Sequence, residues 1–163
     1  MKIVTQNLHL LWQEDVPCPA QNVEELLQKA LNELDVTLHK GEALDKPYTL
    51  SVKFSDNHTV QQLNKKFRGK DKPTNVLSFP NDEEIPGVES DTTYIGDIIL
   101  AKETVEAEAG EQSKSFESHL AHLLIHGILH LYGFDHMEDE EAEEMEALEV
   151  RILGGINIAN PYN

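Results

Sequence analysis

The 163-residue chain holds a single cysteine, Cys18. One thiol excludes an internal disulfide framework and any paired-cysteine redox or metal motif, which suits a reducing cytosol. Basic residues are scarce as well, 13 Lys and Arg against 30 Asp and Glu, for a formal net charge of −17. Taken as a chain average, that charge argues against a nucleic-acid partner, because binding phosphate needs local positive charge. No apolar run reaches the ~18–20 residues of a membrane span. The opening segment MKIVTQNLHLLWQED lacks the basic head, apolar middle and small-residue exit of a signal peptide. A cytoplasmic protein without membrane contacts is the expectation. Internal repeats and low-complexity linkers are also missing, and the length suits one domain, 1–163.

What is present reads as an α+β domain with a small mixed sheet of about four strands flanked by helices. Residues 22–38 place Val23, Leu26, Leu27, Ala30, Leu31 and Leu34 at helical spacing. YTLSVKF (48–54) alternates strictly and predicts a half-buried strand. Asp56 or Asn57 caps a short helix with Val60, Leu63 and Phe67 facing inward. Val76–Phe79 and Tyr94–Leu100 read as strands, a weaker one lies near Ile3–Leu8, and Pro86 and Gly87 turn the polar loop 81–91. Beyond Thr104 the chain is helical, broken at Gly110, with helices over about 114–132 and 139–153. The last of these turns Ala142, Met145, Leu148 and Ile152 inward and its glutamates outward.

Five of the eight histidines fall between positions 119 and 136. At helical spacing, His119, His122, His126 and His130 share an arc of about 80° on an otherwise apolar helix. A buried helix with one strip of imidazoles needs a cavity, a metal or a substrate to satisfy that strip. His126 and His130, at i and i+4, can point at one ion, and Gly133 can turn the chain so that His136 joins them. The run His126-Gly127-Ile128-Leu129-His130-Leu131-Tyr132-Gly133-Phe134-Asp135-His136 has the ligand and glycine spacing of HExxHxxGxxH zinc peptidases. Gly127 replaces the glutamate that serves there as general base, which removes the peptidase proton acceptor and would let backbone or substrate approach the ion. Three histidines with an open fourth position favour a bound water whose pKa falls to about 7 and supplies hydroxide. The competing readings are core histidines satisfied by carbonyls and a structural zinc, which usually fills its fourth position with cysteine. His119 and His122 suit packing or support of the ligands. His9, His39 and His58 read as surface residues.

The scarce cations are concentrated. Lys65, Lys66, Arg68, Lys70 and Lys72 fall within eight positions, and Gly69 permits a turn that brings a guanidinium to an anion. A metal-activated hydroxide facing an arginine suits phosphodiester hydrolysis, the arginine offsetting charge that grows on the phosphorus centre. Eight carboxylates crowd residues 138–149 and read as a solvated helix face.

These two segments resemble the YbeY family of bacterial rRNA maturation factors. The carriers are residues 126–136, the run Asn64-Lys65-Lys66-Phe67-Arg68-Gly69-Lys70-Asp71-Lys72-Pro73-Thr74-Asn75-Val76-Leu77-Ser78-Phe79-Pro80, and Gly96-Asp97-Ile98. The resemblance runs from about residue 48 to 153. It implies a metal-dependent, single-strand-specific endoribonuclease in rRNA maturation and ribosome quality control. It also implies one zinc ion per chain on His126, His130 and His136, with Arg68 as the functional arginine. Lys65, Lys66, Lys70 and Lys72 are then expected to contact RNA, and ribosomal subunits or ribosome-associated proteins are the expected partners. Asp135 and Asp97 are expected to support structure. The alternatives are a metal-dependent hydrolase of peptide or small-molecule bonds, and a non-catalytic ribosome-assembly factor with a structural metal.

Overall fold

The alternating segment forms strand β3 (Tyr48–Ser55), whose Leu50, Val52 and Phe54 are buried. In this computed structural model, which describes residues 1–81, 90–135 and 137–163, β3 lies at the centre of a five-stranded sheet. Parallel strands β2 (Leu8–Glu14) and β5 (Thr93–Ala101) flank it. Antiparallel β1 (Lys2–Val4) and β4 (Val76–Pro80) form the two edges, giving the order β1-β2-β3-β5-β4. The sheet thus has one strand more than expected. The segment near Ile3–Leu8 holds a reversal, closed by the Thr5 N–H donating to Leu8 O at 2.8 Å. Its alternation looks poor because two strands of opposite direction meet inside one window, and the buried set Leu8, Leu10, Trp12 starts only after the turn.

Five helices complete the described residues: α1 (Val23–His39), α2 (Asn57–Arg68), α3 (Lys102–Glu111), α4 (Phe116–Leu131) and α5 (Asp139–Gly155). Parallel strands need a crossover, and α1 supplies it between β2 and β3, burying Leu27, Ala30, Leu31 and Leu34. The Asp56 carboxylate accepts the Thr59 N–H at 2.8 Å and starts α2. Of the three side chains expected inside α2, Val60 is buried and Leu63 partly so, but Phe67 is 55% exposed, because it lines an open groove over the sheet and not the closed core. Ser115 caps α4 by accepting the Ser118 N–H at 3.1 Å. α4 packs against α1, α3 and α5 and against β4 and β5, so Leu120, Leu124, Ile125, Ile128 and Leu129 are buried on several sides. The main core lies between the sheet and the α1/α4 layer, and a smaller one of Val60, Leu77, Ile99 and Ala101 lies under α2 on the opposite face. No helix of the described residues is long and apolar enough to cross a membrane. The turn residues Pro86 and Gly87 lie outside the described residues.

One polar knot fixes the start of the sheet. Buried Asp35 of α1 accepts the Asn7 backbone N–H at 2.9 Å, the Asn7 side-chain amide at 2.8 Å and the Thr5 hydroxyl at 2.5 Å. Asn7 in turn donates to Glu42 O and accepts the Leu44 N–H, tying the α1–β3 connection to the same point. Removing Asp35 leaves buried donors without an acceptor, which is the expensive way to lose a hydrogen bond. Asp35→Ala is expected to lower stability by about 2–4 kcal/mol in urea titration. A loss below ~0.5 kcal/mol would show the knot to be dispensable.

Candidate metal centre and basic cleft

His126 and His130 lie one turn apart on α4, and each ring has a committed Nδ1. His126 Nδ1 lies 2.5 Å from Oε1 of Glu149, and His130 Nδ1 lies 3.0 Å from the Phe134 carbonyl oxygen. A carbonyl accepts only, as does an ionised carboxylate, so both Nδ1 atoms carry the proton and donate. The two Nε2 atoms point at each other 3.0 Å apart, within reach of one shared proton or cation. Neutral imidazoles with Nδ1–H held by a carboxylate or carbonyl are the standard state of metal-binding histidines, so the donor set fits a borderline ion such as zinc.

The Phe134 carbonyl reaches His130 because Gly133 turns the chain there at φ 96°, a conformation that favours glycine. The Gly133 N–H donates to His130 O and the Phe134 N–H to Leu129 O, closing the end of α4. His136, the third expected ligand, lies outside the described residues. Among the described residues, no group of three His, Cys, Asp or Glu side chains is placed to hold a metal ion. Asp135 lines the cleft beside the histidine pair.

Glu149 is the residue that sequence reasoning missed. It was expected among the outward glutamates of α5, but it is fully buried. Its two oxygens face His126 Nδ1, the Tyr162 hydroxyl, and His122 Nε2 at 3.6 Å. Burial alone would raise its pKa, yet the hydrogen bonds from His122, His126 and Tyr162 outweigh that and hold the carboxyl down at about 2. The signal was present, since Glu149 stands four residues after Met145 and three before Ile152 on the buried face of α5. The crowd of solvated carboxylates around it masked that position.

The other histidines sort by surroundings. His119 is buried, and Nε2 lies 2.9 Å from Oε1 of Glu108. Burial drives its pKa below the usual imidazole value against the opposing pull of Glu108, so the ring is neutral near pH 7. Its Nδ1, like that of His122, has no hydrogen-bond partner among the described residues. His39 is a packed residue and not a surface one. Its Nε2 lies 2.8 Å from the Tyr132 hydroxyl, and its ring packs on Tyr48 and Tyr132. His58 is exposed, and His9 is half-buried on β2.

The basic segment meets the histidines across a cleft of about 810 Å³. Gly69 closes α2 in the left-handed conformation, and the buried Asn64 amide donates to Lys72 O at 2.8 Å, folding the segment back on the helix. Arg68 donates from Nη2 to Ser78 O at 2.7 Å, and its guanidinium carbon stands 5.4 Å from the Phe79 ring centroid. Arg68, Lys70, Lys72, His126 and His130 all line the cleft. Lys65 and Lys66 are not among its lining residues. Lys65 Nζ lies 3.8 Å from Asp71, and Lys66 Nζ stands 5.1 Å from the Phe67 ring.

From the sequence, Gly127 was expected to let backbone or substrate approach the ion; instead it is buried against the sheet, where an added Cβ would lie 3.0 Å from Ile98 Cδ1 and 3.1 Å from Ser78 Oγ. The helix packs onto β4 and β5 at the point where zinc peptidases carry their base, which leaves little room for a side chain. Gly127→Glu is therefore expected to lower the melting temperature by ~10 °C or more without creating peptidase activity. A stable variant that hydrolyses casein would contradict this packing.

The comparisons with known proteins follow this geometry. The family described as Endoribonuclease YbeY matches residues 11–157. A protein of that name from Paramagnetospirillum magneticum is 45% identical over 152 residues, covering 91% of this chain and 93% of its own length. Its namesake from Sinorhizobium fredii is 52% identical over 118 residues, covering 72% of this chain and 68% of the relative. The solution structure of TM1509 from Thermotoga maritima is similar with a TM-score of 0.57 at 25% identity, covering 94% of this chain and 95% of that one. The chain belongs to the Endoribonuclease YbeY family.

Proposed function

We propose that the protein is a metal-dependent endoribonuclease that cleaves single-stranded RNA in the cytoplasm, with ribosomal RNA as its substrate during maturation and quality control. Family membership supports the nuclease reading. The observation that carries the mechanism is the meeting of the His126 and His130 Nε2 atoms with Arg68 in one cleft. His126, His130 and His136 would hold one zinc ion, and such an ion supplies Lewis acidity and an acidified water at neutral pH.

The chain's own residues do the rest. Glu149 holds the Nδ1–H of His126, and the Phe134 carbonyl holds that of His130, so both rings are fixed in tautomer and direction before any ligand arrives. A guanidinium has five N–H donors, and anchoring Nη2 on Ser78 O sets the plane from which Arg68 meets a phosphate in the cleft. Donors fixed in advance offset the charge that grows on the phosphoryl oxygens at the transition state. Lys70 and Lys72, on the same wall, hold the flanking phosphates. With so few cations in a chain of net charge −17, binding to bare RNA is weak and salt-sensitive. Delivery to ribosomal RNA then depends on ribosome-associated proteins. Peptide hydrolysis is disfavoured because the position of the peptidase base holds a glycine packed tightly against the sheet.

Two variants separate these roles. Arg68→Ala is expected to lower cleavage of single-stranded RNA by at least ~10²-fold while zinc content stays near one per chain; undiminished cleavage would remove the arginine from the mechanism. Glu149→Gln, measured by competition with a chromogenic chelator, is expected to weaken zinc affinity about 10–100-fold. Unchanged affinity would reduce Glu149 to a packing residue.

A further inference from the structure

On the sheet face opposite α4, the small core under α2 ends at Phe79, and Phe67 packs on Phe79 from outside it. Beside them Ser51, Lys53 and Asp97 of the sheet line an open groove of about 480 Å³ together with both phenylalanines. The two rings stand 5.4 Å apart at 65°, and Phe67 remains 55% exposed. A large aromatic side chain left in water beside another calls for an occupant.

Two features identify its chemistry. The first is charge. Lys66 stands over the Phe67 ring and Arg68 over the Phe79 ring, in a chain whose net charge is −17. Aromatic rings paired with cations match a strand of alternating bases and phosphates better than an apolar peptide. The second is continuity with the cleft. β4 is an edge strand, its Ser78 and Pro80 line the cleft, and Phe79 between them lines the groove. Arg68 touches both sides, lining the cleft while packing on Phe79. An RNA strand that leaves the cleft at Arg68 and crosses this edge meets Phe79 and then Phe67.

We propose that Phe67 and Phe79 form a stacking subsite for an unpaired nucleobase of the RNA strand bound at Arg68. This rests on the endoribonuclease reading and deepens it. A base in a duplex is already stacked on its neighbours and offers no face to a phenylalanine, so the subsite selects single strands. The Asp97 carboxylate, which accepts hydrogen bonds from Ser51 and Tyr94, lies in the same groove and can accept from the exocyclic amine of a seated base.

The test uses short single-stranded RNA substrates, intact or with one nucleotide stripped of its base at each position in turn. With the wild-type protein, one position is expected to raise KM about five- to tenfold when its base is removed. Phe67→Ala is expected to raise KM for the intact strand by a similar factor and to erase the penalty at that position, whereas Phe67→Trp keeps it. The loss falls mainly on KM because stacking holds substrate and transition state alike. Since Phe67 is exposed, the variant folds, which a melting curve checks. A Phe67→Ala protein with wild-type KM, or with the base penalty intact, overturns the subsite. So does a variant that loses a protein partner while its RNA kinetics stay unchanged. Failure of the wild-type protein to cleave any strand is a separate result, which overturns the nuclease reading itself.

Discussion

The fixed orientation of the His126 and His130 rings, whose Nε2 atoms stand 3.0 Å apart, is the constraint on which the site depends. Each ring is turned by a different partner, one a buried carboxylate from α5 and the other a carbonyl from the turn after α4. Neither partner holds its position alone. The carbonyl depends on Gly133, and the carboxylate is charged in the interior only because three donors surround it. The helix that carries the rings is enclosed by α1, α3, α5 and the sheet. A cation shared by the two Nε2 atoms would use the ring directions that these partners set.

The distribution of charge follows from the same arrangement. An overall −17 would repel RNA, and the cations that could oppose it are gathered on the last turn of α2 and the segment after it. Asn64 folds that segment back on the helix, so Lys70 and Lys72 face the histidine pair across the cleft. The acidic run of α5 divides in its turn. Glu149 is drawn inside to orient a ring, while Glu140, Glu143 and Glu144 stay exposed in water.

Much of this was legible in the residues. The strands at 48–54, 76–79 and 94–100 and the helices around 22–38, 114–132 and 139–153 emerged from periodicity, with ends within about two residues, and the start of α2 from its cap. What was missed has physical causes. The N-terminal hairpin hid because its turn is fixed by Asp35, a partner thirty positions away, and not by turn residues of its own. Phe67 has inward spacing yet is exposed, since spacing reports the face of a helix and not whether the space beneath it is filled or left as a groove. Gly127 looked like access to the ion and proved to be contact with the sheet, a distinction that only the packing of α4 on β4 and β5 could make.

Whether these rings share a metal ion on which RNA cleavage depends is decided by metal analysis of purified protein, paired with cleavage of single-stranded RNA before chelation, after chelation and after zinc is restored. The expected outcome is about one zinc per chain, loss of cleavage on chelation and recovery on reloading. Full cleavage by protein shown to be free of metal would overturn the metal-dependent reading.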